Sequence, residues 1–176
     1  MISLEDLYRR FAKRLYNLLL RMLGDEDDAL DALQQTFLRA HRALRGFREE
    51  SKPYTWLYRI ALNCAYTALK RRAGRRQKEI LAEADGWCGD PPAAGADAAE
   101  NAQKRETAQI VQEAIMELPA DIRSAVLLRD IEQLPYQEVA KILNVPVGTA
   151  KSRVHRGREL LKERLERVLG KEFVAE

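Results

Sequence analysis

Between Val139 and Arg158 the chain carries Lys141, Lys151, Arg153, Arg156 and Arg158 and not one Asp or Glu. A run of cations without acids suits a phosphate-lined groove, and the local pattern supplies the element that would present it. Val139, Ala140, Ile142 and Leu143 form a short apolar face that ends at Asn144-Val145-Pro146. Asn tolerates the left-handed backbone of a tight turn, and Pro cannot continue the helix before it. A second helix is expected from Val147, with Val147, Ala150, Val154, Leu161, Leu165 and Val168 at helical intervals on its buried side. Lys151, Ser152, His155 and Arg156 then face outward, where Ser can bind phosphate or a base edge and Arg can engage guanine through two hydrogen bonds. The same charges would suit a solvated face, but the missing acids and the preceding turn favour a helix-turn-helix. His155 alone decides nothing, since a lone exposed histidine is more often a bystander.

A second constellation lies further forward. Tyr54, Trp56 and Tyr58 crowd the start of a helical segment, with Arg59 beside them and Lys70, Arg71, Arg72, Arg75 and Arg76 at its far end. Aromatic faces next to cations are what unstacked bases and their phosphates require. A half-buried aromatic core with a solvated basic tail fits these residues equally well.

Other chemistry finds little support. The chain has no phosphate-binding glycine loop, and His41 and His155 are its only histidines, neither with an evident nucleophile partner. Cys64 and Cys88 lack metal-ligand or disulfide-framework spacing. Cys64 reads as a small hydrophobe and Cys88 as an incidental thiol. Neither an enzyme nor a cofactor is expected. No apolar run approaches the roughly 18 residues that cross a bilayer, and MISLEDLYRR lacks the regions of a signal peptide, so a cytoplasmic location is expected.

The elements that must position these residues are helical throughout. Ser3-Leu4-Glu5-Asp6 resembles a capping box before a first amphipathic helix that ends at Gly24. Asp25 caps a second helix, whose stripe is Ala29, Leu33, Phe37, Ala40 and Leu44. Pro53 opens a third, running to about Arg72. From about Gln77 to Ala102 the pattern fades into a Gly-, Pro- and Ala-rich acidic stretch, read as a flexible linker. A further helix is expected over roughly 102–118, broken by Leu118-Pro119, before another opens at Asp121. Formal charge is only +3 overall, but it divides into +7 over residues 1–76, −4 over 77–106 and zero over 107–176. The 176 residues, 46% of them hydrophobic, therefore suggest an all-α protein of two small helical domains joined by an acidic segment.

Taken together these residues resemble the extracytoplasmic-function group of bacterial sigma factors, in the sigma-70 family. DEDDALDALQQTFLRAHRAL with KPYTWLYRIALNCAYTALKRR looks like sigma domain 2, and LPADIRSAVLLRDIEQLPYQEVAKILNVPVGTAKSRVHRGRELLKERL looks like sigma domain 4. The resemblance implies domain 2 over 1–76, a linker over 77–106 and domain 4 over 107–176. It also implies core RNA polymerase and promoter DNA as partners, and control by an anti-sigma factor, in many such proteins membrane-bound. Asp28, Asp31, Gln34 and Gln35 match the helix that family members press against the polymerase. Phe47, Arg48, Ser51 and Lys52, with Tyr54, Trp56, Tyr58, Arg59 and Asn63, match the element that opens the -10 region and holds an extruded base. Arg71 and Arg72 would follow backbone phosphates. Thr149, Lys151, Ser152, Arg153, His155 and Arg156 match the face that reads the -35 element as duplex. The chain has Leu62 where family members often carry Arg or Lys. A dimeric helix-turn-helix regulator would explain residues 107–176 alone, and would require a palindromic operator.

Overall fold

The structure is a computed structural model that describes residues 3–44, 52–82 and 99–170. Its described elements are α1 (Leu4–Leu23), α2 (Glu26–Leu44), α3 (Pro53–Ala82), α4 (Ala99–Glu117), α5 (Ala120–Val126), a π turn (Leu127–Ile131), α6 (Tyr136–Leu143) and α7 (Val147–Leu169). Among these residues there is no strand, and no helix is long and apolar enough to cross a membrane.

Local chemistry sets most boundaries. The Ser3 hydroxyl accepts from the Asp6 amide at 3.1 Å, which satisfies one of the orphan donors at the start of α1. Gly24 ends α1 in the left-handed region at φ 70°, a conformation that costs glycine little. Asp25 then caps α2 by accepting from the Asp28 amide at 2.9 Å. Asn144 takes the same left-handed backbone at φ 54° and turns the chain from α6 into α7.

Two helical boundaries lie outside the expected ones. Helix α3 continues about ten residues past Arg72, to Ala82, and α4 begins at Ala99 rather than near Ala102. The residues gained are largely Ala, Arg, Gln, Lys and Glu, good helix formers that carry no apolar stripe for a periodicity argument to detect. The remainder of the proposed linker, 83–98, and Cys88 lie outside the described residues.

The front half (α1 to α3) and the back half (α4 to α7) are distinct helical units, yet they pack against each other. One buried cluster joins Leu15, Leu19, Met22, Leu57 and Leu62 of the front to Ile115, Leu127, Leu128, Val139 and Ile142 of the back. Leu62 is therefore a core residue here. Cys64 is buried in the same cluster, as a small hydrophobe would be. A smaller cluster of Leu118, Ile122 and Val126 sits beneath Leu160 and Leu161 of α7. The apolar stripe expected on α7 is interrupted at its ends, because Val147 and Val168 are exposed. They lie beyond the span that α5 and α6 cover.

The link between α5 and α6 is irregular. In the π turn the backbone amide of Glu132 donates to the Leu127 carbonyl five residues back, at 2.9 Å. Such turns carry one extra residue and are uncommon outside functional segments.

Candidate nucleic-acid interface

Helix α7 presents its cations unequally. Lys151, Ser152, His155 and Arg156 are exposed on one face, while Ala150, Val154 and Gly157 are buried on the other. Arg156 makes no ion pair with a described residue. The Lys151 ammonium lies 5.9 Å from the centre of the Tyr136 ring, and the Ser152 hydroxyl donates to the Thr149 carbonyl at 3.0 Å. Both remain able to turn to a ligand. Thr149 is half-buried in the first turn of α7. The His155 ring sits 3.3 Å from the Glu159 carboxylate, a pairing that favours its charged form when it forms. Arg153 is on the flank, half-buried, with its guanidinium 3.2 Å from Asp121. Arg158 is likewise committed, to Asp130. Three outward groups of the right kind thus remain open on one helical face: Lys151, Ser152 and Arg156.

The forward constellation is divided by burial. Lys52, Arg59, Asn63, Arg71 and Arg72 are exposed, Tyr54 and Trp56 are half-buried, and Tyr58 is almost fully buried at 2%. Phe47, Arg48 and Ser51 lie outside the described residues. The Lys52 ammonium is 5.7 Å from the Tyr54 ring centre. Arg72 reaches the Leu23 carbonyl at the end of α1, at 3.5 Å. Tyr58 faces the back half instead of open solvent. Its hydroxyl donates to the Glu132 carboxylate at 2.5 Å, and Arg14 closes on the same oxygen at 3.1 Å. Burial first, and then the Glu132 charge, pushes the Tyr58 hydroxyl well above the ordinary phenol range.

One turn back, the Thr55 hydroxyl donates to Glu138 of α6 at 2.8 Å, with the Lys52 ammonium at 3.5 Å and Lys141 at 3.6 Å from the other oxygen. Burial raises the Glu138 carboxyl, but the Thr55 hydrogen bond and the two lysines outweigh it and hold the group below its ordinary value. Sequence reasoning missed Thr55, Arg14, Glu132 and Glu138. Acids at element ends are ordinarily explained by solvation or by the helix dipole, so they carried no signal.

The four residues matched to polymerase binding fall on two faces of α2. Asp28, Asp31 and Gln35 line a groove against α3 together with Arg39, Arg71 and Arg75. Gln34 lies on the opposite side, in an apolar groove with Leu4, Tyr8, Leu30, Leu33, Phe37 and Leu38. Phe37 is buried and packs its ring 4.9 Å from that of Tyr8, so it serves the core as well as the groove floor. Leu30 and Leu38 are about half exposed, which marks this side of α2 as a covered surface in some assembly. Among the described residues no group of His, Cys, Asp and Glu is arranged to hold a metal.

An all-helical protein with a cationic helix-turn-helix and a separate aromatic, basic helix is a DNA-binding protein of two units. Residues 7–75 match the Sigma-70 region 2 family and residues 108–161 match the Sigma-70, region 4 family. The RNA polymerase sigma-H factor of Pseudomonas aeruginosa is 37% identical over 95% of this chain and 88% of its own. The ECF RNA polymerase sigma-E factor of Haemophilus influenzae is 37% identical over 91% of this chain and 86% of its own. The fold is similar to that of the sigma factor RpoE of Bartonella quintana, crystallised with the anti-sigma factor NepR, with a TM-score of 0.71 and 25% identity over 92% of this chain and 96% of that one. The chain belongs to the extracytoplasmic-function sigma factors of the sigma-70 family.

Proposed function

We propose that this chain works in the cytoplasm with bacterial core RNA polymerase, directing it to promoters of a stress- or signal-responsive gene set. Residues 107–176 act as domain 4 and place the polymerase on the -35 element as duplex. Residues 1–76 act as domain 2, opening the -10 region and holding one strand, and 77–106 link them. The chain supplies positioning and binding energy, while the polymerase performs the chemistry. The observation that carries this reading is the open Lys151, Ser152 and Arg156 face of α7, in a chain whose two halves match sigma regions 2 and 4 in order. Both sides of α2 are assigned to the polymerase, with Asp28, Asp31, Gln34 and Gln35 as polar contacts and Leu30 and Leu38 as apolar ones. Because its Bartonella relative was captured with an anti-sigma factor, a partner of that kind is assigned here too.

Run-off transcription from a library of random promoter DNA, with core polymerase alone and with the protein added, tests the whole reading. Selective initiation that depends on the protein supports it and yields both promoter elements. Binding to a palindrome by a dimer, without polymerase, would replace it with the dimeric regulator.

Two variants separate the tasks. Arg156→Ala is expected to weaken -35 binding by about 1–3 kcal/mol and to relax preference at one base pair. Lys151→Ala should weaken all duplexes alike and reduce the salt slope by about one. Competition titrations against base-substituted duplexes at several salt concentrations distinguish these outcomes, and equal, sequence-independent losses would remove Arg156 from base reading. Trp56→Ala should lower initiation on duplex promoters far more than on a promoter with a pre-melted bubble. Helical content is checked first, because truncating a core aromatic costs about 3–5 kcal/mol. Equal losses on both templates would take the melting role away from Trp56.

A further inference from the structure

We propose that the free protein masks its own strand-capturing segment, with Glu132 and Glu138 of the back half occupying the hydroxyls and cations that an open DNA strand would use. The inference rests on the sigma reading of residues 52–63 and adds a closed state to it.

Both carboxylates are buried, at 8% and 6% exposure, yet neither has a complete set of partners within its own half. Glu132 is met by the Tyr58 hydroxyl and by the Arg14 guanidinium, whose Nε lies at 3.2 Å. Glu138 is met by Thr55 and Lys52, with Lys141 as its only cation from the back half. A buried carboxylate costs several kcal/mol unless it is paired and hydrogen-bonded, so these two acids favour burial only when the front half is docked. A charged carboxylate oxygen and a phosphate oxygen take the same donors. Lys52, Thr55 and Tyr58 therefore cannot hold Glu132 and Glu138 and an unpaired strand at once.

Docking leaves the other DNA surface alone. Lys151, Ser152 and Arg156 lie on the exposed side of α7 while the carboxylates grip α3. The closed protein is thus competent for duplex and incompetent for strand capture, and a partner that separates the halves releases the second activity. A polar, hydrogen-bonded interface between domains is the kind that opens reversibly.

The test uses the full chain with Glu132→Gln and Glu138→Gln together, which keep the side-chain shapes and remove both charges. Small-angle X-ray scattering reads the separation of the halves. Fluorescence anisotropy reads binding of the labelled non-template strand of a promoter selected by transcription, and of a duplex carrying only its upstream element. A larger radius of gyration is expected, with strand binding about tenfold tighter, the gain when an open fraction of about one tenth becomes nearly complete. Duplex binding should be unchanged, which also shows that the back half has folded. Arg14→Gln, which removes one partner of Glu132 from the opposite side, should give a smaller effect of the same sign.

An unchanged radius, or a wider radius without a gain in strand binding, overturns the mask. So does an equal gain for strand and duplex, which is only the electrostatic effect of two lost charges. If the unaltered protein fails to direct selective transcription, the sigma reading fails instead, whatever the scattering shows.

Discussion

Gly157→Ala is expected to lower the thermal midpoint of the back half despite replacing the poorer helix former with the best one. A Cβ at this position would stand 2.3 Å from Val126 Cγ2 and 2.9 Å from Ile122 Cγ2, both on α5. Helix propensity alone would favour alanine by about 1 kcal/mol. The clash acts against it, because neither branched side chain has a flexible end to swing away, and overpacking of this kind costs about 1–3 kcal/mol or more. The absent side chain lets α7 approach α5 closely enough to bury Val154 and Ala150. A double-mutant cycle checks the cause. Val126→Ala should be destabilising alone and should recover much of the loss in the Gly157→Ala background, giving a coupling energy of about 1 kcal/mol or more. Additive effects would show that α5 is not what Gly157 accommodates.

Arg123→Leu is expected to be costlier, with a loss of about 3–5 kcal/mol in urea unfolding, the range for removing one partner from a buried charged network. The guanidinium is buried and donates to the carbonyls of Met22 at 2.5 Å, Leu118 at 2.9 Å and Met116. These carbonyls lie at the C-terminal ends of α1 and α4, where the last turn has no intrahelical donor left. One cation thus finishes two helices, one from each half, and their dipoles favour its charge. Burial draws the Arg123 guanidinium below its ordinary value, which measures how strongly those acceptors must hold it. Arg123→Lys should restore less than half of the loss, since an ammonium cannot reach three carbonyls in a planar fork. A leucine variant within about 1 kcal/mol of the parent would mean that water replaces the arginine.

Much of the frame was legible because it is written in local signals. Ser3, Gly24, Asp25, Pro53 and Asn144 each fix a boundary through a backbone conformation or a cap that neighbours along the chain can reveal. The outward placement of Lys151, Ser152 and Arg156 came from spacing alone. What stayed hidden depends on residues far apart in sequence. Tyr58 and Glu132 are separated by 74 positions, Thr55 and Glu138 by 83, and Arg14 and Glu132 by 118. Tyr58 was read with its aromatic neighbours as one stacking surface, but only a tertiary partner could show that it points the other way. Arg153 and Arg158 looked like further DNA contacts for the same reason, since Asp121 and Asp130 come from other elements. Gly157 and Arg123 gave no pattern, because a missing Cβ and a buried guanidinium matter only through their surroundings.

The π turn from Leu127 to Ile131 makes the chain a counting device at one point. Each residue of an α-helix advances the axis by about 100°, so deleting one residue here would restore an ordinary ladder and swing the next side chain by nearly a third of a revolution. Glu132 occupies that next position. Shortening would carry its carboxylate off Tyr58 and Arg14 with every side chain of the pairing still present. Length at this turn is therefore inherited as information, and among descendants of this chain insertions and deletions should fall elsewhere.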